Sequence, residues 1–261
     1  MITWNRVDTV LLDMDGTLLD LHFDNHFWQE YVPQRFAERH GVDVATARAE
    51  VAARYQKVAG TLQWYCVDYW TRELNLDIER LKHETADRVA LHPRVVEFLA
   101  ALRAHGKRAV LVTNAHGKAL RLKLARTGLE SHLDGIVCAH DLGHPKEQIA
   151  FWERLGESQP YDAAKSVLID DTLPVLRAAQ RYGIGQLVAI KRPDSRASER
   201  QVVEFPAVNG VADLIPAEGA TARTTRRQGA PSPHSGRVRV THVFAVRRIR
   251  TSSSAASPRP A

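Results

Sequence analysis

VDTVLLDMDGTLLD, residues 7–20, reads as a buried strand that stops at carboxylates. Val7 to Leu12 form an apolar, β-branched run, and Asp13, Asp15 and Gly16 then carry the chain into a loop at the strand's C-terminal edge. Two carboxylates in that position are costly, because desolvating a charge costs several kcal/mol even after relaxation. A hard cation would offset the cost. Mg²⁺ suits the place, since it takes oxygen donors and one or two carboxylates alongside phosphate oxygens and water. A carboxylate is also a nucleophile, able to form an aspartyl phosphate that divides one displacement into two easier steps. Gly16 permits a tight backbone path whose amides would face a phosphate. Taken alone, D-x-D describes a turn or a cap equally well.

Beyond Pro93 the chain alternates between helical and strand patterns. Helices are predicted at about 94–105, 117–127 and 174–182, with one more after Lys146. Strands are predicted at RAVLVT ending at Thr113, GIVC at 135–138, SVLID ending at Asp170, and QLVAI at 186–190. This order predicts an α/β fold, a doubly wound, Rossmann-like parallel sheet with ligands at the strands' carboxyl ends. Residues 24–88 have helix-period apolar positions instead, enough for three or four helices. The expected organisation is a core of residues 1–22 and 89–216, an inserted α-helical cap of residues 23–88, and a basic, disordered tail of residues 217–261. That tail is rich in Pro, Ser, Gly and Arg; VRVTHVFAV within it could form a lone strand.

The other candidate residues fall at strand ends or helix starts. Thr113 and Asn114 end a strand, where a hydroxyl and amides can donate to phosphate oxygens, although both also suit a helix N-cap. Lys146, after Pro145 at an expected helix start, could neutralise a nucleophile and a phosphate. Asp170 and Asp171 end another buried strand and would repel each other without a cation. Together, and in this order, DMDGT at 13–17, LVTN at 111–114, Lys146 and LIDD at 168–171 resemble the four motifs of the haloacid-dehalogenase-like superfamily. That resemblance covers about residues 7–216. It implies Asp13 as nucleophile and metal ligand, and Asp15 as general acid/base that also binds metal through its backbone carbonyl. It implies Thr113 as a phosphoryl ligand, Lys146 as charge compensation, Asp171 as direct metal ligand, and Asp170 as supporting or water-mediated ligand. Gly16, Thr113, Asn114 and Lys146 would form the phosphate site, with Mg²⁺ as cofactor and Mn²⁺ or Co²⁺ as substitutes. Asp15 favours a phosphatase over a dehalogenase, because ester cleavage needs an acid to protonate the leaving alkoxide.

VDTVLLDMDGTLLDLHFDNHFW and LQWYCVDYW look like a narrower group, the bacterial GMP/IMP nucleotidases, which implies purine 5′-nucleotide substrates. Asp24, Asn25, Trp28, Trp64 and Asp68 are the candidate base or ribose contacts; Trp64 and Asp68, at i and i+4, are expected on one helix face. The alternatives are a phosphatase of FMN, a sugar phosphate or phosphoglycolate, or a non-catalytic binding module on the same fold.

Composition narrows the classes further. The net charge is +6, but residues 217–261 hold nine Arg against Glu218 alone, so residues 1–216 carry about −2. The basic balance therefore describes the tail, which argues against a nucleic-acid-binding body. No apolar run approaches a membrane span and the N-terminus has no signal-peptide pattern, so a soluble, cytoplasmic protein acting on a small phosphomonoester is expected. Cys66 and Cys138 lack metal-ligand spacing, His116 reads as a helix start, and no His pair has metal spacing, so no zinc site is expected.

Overall fold

The computed structural model describes residues 2–216. The expectations for the tail, including its lone strand, lie outside these residues. The strands are β1 (Thr9–Leu12), β2 (Arg108–Thr113), β3 (Gly135–Cys138), β4 (Ser166–Asp170), β5 (Gln186–Ile190) and β6 (Ala207–Val208). They make one sheet in the order β3-β2-β1-β4-β5-β6, every pair parallel. The α/β doubly wound fold expected from the sequence is the observed one. The winding reverses between β1 and β4, and ligands of such sheets bind in the crevice at that point.

Between β1 and β2 come α1 (His22–His26), a π turn at Phe27–Tyr31, α2 (Val32–His40), α3 (Val44–Val58), α4 (Leu62–Tyr65), α5 (Val67–Leu74) and α6 (Ile78–Glu84), followed by α7 (Val95–Ala104). After β2 come α8 (Gly117–Thr127), α9 (Ala139–Leu142), α10 (Ile149–Ser158) and α11 (Leu173–Tyr182).

Successive strand residues point to opposite faces, so each sheet face has its own core. Val10 and Leu12 join Leu111, Val167, Ile169 and Val188 beneath Phe98, Leu99 and Leu102 of α7. Leu11 points the other way, with Val110, Val112 and Leu168, beneath Phe151 and Trp152 of α10 and Val175 and Leu176 of α11. Burying each of these aliphatic side chains contributes about 1.5–3 kcal/mol, which fixes the register of β1 and with it the position of Asp13.

The helices from α1 to α6 form a cap with a separate core of Phe27, Val32, Phe36, Val51, Val67, Trp70, Leu74, Ile78 and Leu81, which Ala119 of α8 also enters. The cap is more divided than the three or four helices expected. Cys66 has extended backbone angles (φ −86°, ψ 112°); it ends α4 and its Sγ accepts the Tyr69 amide at 3.4 Å to cap α5. Trp64 and Asp68 consequently belong to different helices and do not share a helix face. Lys146 precedes α10 in a loop rather than opening a helix, and two-residue β6 was not expected. Among the described residues no helix is long and apolar enough to cross a membrane.

Candidate active site

Asp13 directly follows β1, and its amide donates to the Ile169 carbonyl at 3.0 Å, extending the β1–β4 ladder by one residue. Thr113 and Asp170 end β2 and β4, so three strand ends bring their side chains to one edge. Lys146 arrives from the loop before α10 and is fastened at both backbone groups: its amide donates to Asn114 Oδ1 at 2.9 Å, and its carbonyl accepts Trp152 Nε1 at 2.8 Å. Lys146 Nζ then reaches Asp13 Oδ1 at 2.5 Å and Asp170 Oδ2 at 2.7 Å. Thr172 secures the acidic pair, its amide on Asp170 Oδ1 at 2.8 Å and its hydroxyl on Asp171 Oδ1 at 3.1 Å.

Charge is unbalanced here. Asp13, Asp170 and Asp171, all buried, place carboxylate oxygens within 4.8 Å of one another around a single ammonium. Arg200 reaches Asp171 Oδ2 from the surface at 3.1 Å. Burial pushes Asp13, Asp170 and Asp171 up to about 6 despite Lys146, which lies close to all three. Burial alone would lower the Lys146 pKa, but Asp13 and Asp170 outweigh it and hold that pKa above the ordinary value. Asp13 Oδ2 is buried without a hydrogen-bond partner. Hard oxygen donors, excess negative charge and an orphaned carboxylate oxygen fit a divalent cation of the Mg²⁺ type.

Gly16 departs from its expected role. Its amide donates to the Leu19 carbonyl at 2.7 Å, so that amide is not offered to a phosphate. The glycine is required for shape instead: φ is +93°, and a Cβ would stand 2.9 Å from Asp171 Cγ and from Pro193 Cβ. Gly16→Ala is therefore expected to lower stability by roughly 1–3 kcal/mol. It should also weaken divalent-cation binding by displacing Asp171. A thermal melt with a metal titration checks both, and unaltered values would show that the loop yields freely.

A cavity of about 360 Å³ opens over Asp13, Asp15, Thr113 and Lys146, within the size range of small-ligand sites. Trp28, Tyr55 and Trp64 line its cap side. Asp24 and Asn25 line it too, but their polar atoms are engaged. Asp24 Oδ1 meets Lys82 Nζ at 3.0 Å and Oδ2 meets Lys123 Nζ at 2.5 Å, while Asn25 Nδ2 donates to Asp194 Oδ2 at 2.7 Å. Each Asp24 carboxylate oxygen is thus already held by a buried ammonium. Asp68 is outside the cavity lining, paired with Lys118 at 2.9 Å. The Asn114 side chain holds the Lys146 amide and donates to Glu147 Oε2 at 3.0 Å, so it positions Lys146 at the cavity that Asn114 also lines.

Lys123 was not anticipated. It is 2% exposed on α8 and bridges Asp15 Oδ1 at 2.7 Å to Asp24. With Lys82 it forms a buried chain of alternating charge from the catalytic loop into the cap. Burial pushes Asp15 up to about 6, against the pull of Lys123. Burial would also raise Asp24, but Lys123 and Lys82 prevail and hold it at about 2. The signal was the helix period: Lys123 and Lys82 lie four residues after Ala119 and Ile78, on buried faces.

A reversing parallel sheet with carboxylates and a lysine at its switch point, beneath an inserted helical cap, defines a class of hydrolases. The haloacid dehalogenase-like hydrolase model matches residues 7–183, and the chain belongs to this family. It is 43% identical over 215 residues to the GMP/IMP nucleotidase YrfG of Escherichia coli, covering 82% of this chain and 97% of the relative, and equally to that of Shigella flexneri. The chain is thus a phosphoric monoester hydrolase. An HAD phosphatase from Thermococcus onnurineus superposes with a TM-score of 0.66 at 21% identity, covering 80% of this chain and 96% of the other. An L-2-haloacid dehalogenase from Xanthobacter autotrophicus gives 0.54 at 14% identity, with coverages of 80% and 96%. These two share the fold alone.

Proposed function

We propose that this hydrolase is a Mg²⁺-dependent phosphatase of purine 5′-nucleotides that works through an aspartyl phosphate on Asp13. The observation that carries the proposal is Asp13 Oδ2, a buried carboxylate oxygen without a partner, beside a cavity whose opposite wall is aromatic. Asp13, Asp171 and Asp170 would hold the cation, with the Asp15 carbonyl as a further donor. The cation would neutralise charge on the substrate phosphate and on the carboxylates around it.

Asp13 attacks phosphorus, and the bond to the nucleoside 5′-oxygen breaks as Asp15 delivers its proton there. A pKa near 6 lets Asp15 carry that proton near neutral pH. Water then attacks the aspartyl phosphate and gives its proton to Asp15, releasing phosphate and restoring Asp13. Lys146 Nζ and the Thr113 hydroxyl face charge that develops on the phosphoryl oxygens.

The catalytic loop contacts only phosphate and cation, so base preference must arise at the cap side. Stacking on an aromatic is worth about 1–3 kcal/mol, or roughly tenfold to a hundredfold, and a purine offers the larger area. Phosphate release from GMP, IMP, CMP and UMP, with Mg²⁺ and with chelator, tests the assignment; equal efficiency on purines and pyrimidines would sink it. Trp64→Ala should lose the purine preference while keeping hydrolysis of p-nitrophenyl phosphate. Equal losses on both substrates would make Trp64 part of the cap core instead.

A further inference from the structure

Three side chains unused by this chemistry meet where the cap joins the core. Cys66, His116 and His140 each bring one ligand atom within 4.8 Å of the others. Cys66 stands at the break between α4 and α5 of the cap. His116 caps α8 and His140 lies in α9, both in the core. The two imidazoles meet edge to face, with ring centroids 4.8 Å apart. His140 Nε2 is buried and has no hydrogen-bond partner, although unpaired buried nitrogen is costly. Burial lowers the pKa of His116, and burial together with the neighbouring His116 holds His140 at about 4, so both rings are neutral and able to bind a cation near pH 7. His116 Nδ1 accepts the Lys118 amide at 3.4 Å, which leaves Nε2 as its ligand atom, and Asp68 Oδ2, 3.8 Å from that Nε2, adds negative charge beside the site.

We propose that Cys66, His116 and His140 form a second cation site, for a borderline-soft divalent ion of the Zn²⁺ class, that ties the cap to the core. Ligand choice separates it from the catalytic site: thiolate and imidazole select Zn²⁺, whereas the Asp13, Asp170 and Asp171 cluster selects hard ions. In tetrahedral zinc, bonds of about 2.0–2.3 Å place ligands about 3.5 Å apart, so side-chain rotations of roughly 1 Å close the site. Binding exchanges the Cys66 thiol proton for the cation, so one proton leaves to solvent for each thiolate bound. The fourth position is open to water. Because Cys66 adjoins Tyr65, whose hydroxyl donates to Glu147 Oε1 at 2.6 Å, the ion would reinforce an existing cap-to-core contact and slow product release.

The test uses the full chain in excess Mg²⁺, so that the carboxylate cluster is occupied. Co²⁺ added stoichiometrically should bind once per chain with a thiolate-to-cobalt charge-transfer band, and Zn²⁺ should displace it. Cys66→Ser should abolish the band, and His140→Gln should weaken binding by more than about tenfold. Both variants should retain their thermal melts and Mg²⁺-supported turnover without Zn²⁺. Zn²⁺ should lower kcat in the unaltered protein and not in Cys66→Ser. A missing band in the unaltered protein, or a band that survives Cys66→Ser, would overturn the site; equal Zn²⁺ inhibition of both proteins would overturn the clamp. None of these readouts depends on which phosphoester is the substrate.

Discussion

Asp13→Asn is expected to lower kcat by on the order of a thousandfold or more while leaving the fold intact. An amide keeps the shape of the carboxylate and can still accept from Lys146 at one oxygen, but it does not form an acyl phosphate. The other oxygen, Oδ2, has no hydrogen-bond partner, so replacing it by NH₂ breaks none. The substitution also removes one of three crowded carboxylates, so the melting temperature in the absence of metal should hold or rise. Steady-state turnover and a circular-dichroism melt check the two halves. A folded variant with near-normal turnover would eliminate Asp13 as the nucleophile.

Lys146→Met should be the most damaging substitution for stability. Lys146 Nζ is the ammonium within reach of both Asp13 and Asp170, and taking one partner from a buried ion pair costs about 3–5 kcal/mol. Mg²⁺ should restore much of the melting temperature by supplying positive charge. It should not restore turnover, because the ammonium opposite the phosphoryl group is gone. The pH dependence follows from the raised carboxylate pKa values. With folded values near 6 against an ordinary value of 3.8, the folded state binds protons more tightly, so metal-free stability falls as pH rises from about 4 to about 6. The stabilisation by Mg²⁺ should therefore be larger at pH 8 than at pH 5. Melts with and without Mg²⁺ at both values decide this; a Lys146→Met melt equal to that of the unaltered protein would show that the carboxylates are protonated.

The sheet was legible because its strands read as apolar runs, and β1, β2 and β4 lead into polar residues that the sheet leaves at its carboxyl edge. Asp13, Thr113, Asp170 and Asp171 could be found for that reason and Lys146 from its place after Pro145 in the motif order, and the structure brings the five together. The cap was less legible. Helix period finds an apolar face but not a one-residue break, so Cys66 passed as mid-helix and Trp64 and Asp68 were assigned a shared face. Lys82 and Lys123 were not singled out in the sequence, although each is in register with buried apolar neighbours; their partners Asp15 and Asp24, distant in sequence, explain them. Arg200 and His140 meet their partners through tertiary approach alone, which no local spacing encodes.

Strand β6 is two residues long and pairs with β5 through Ala189 and Ile190. Its brevity has a consequence for self-association. A long exposed edge is a template on which another chain can add a strand, whereas this margin of the sheet ends in a stub preceded by Pro206, which has no amide hydrogen to offer. Phe205 packs into the same core as Leu11 and Leu168, pinning the stub in place. A chain ended before Phe205 would free the Ala189 and Lys191 amides that now donate to Pro206 and Val208, lengthening the open edge of β5, and aggregation by edge-to-edge pairing is the expected result.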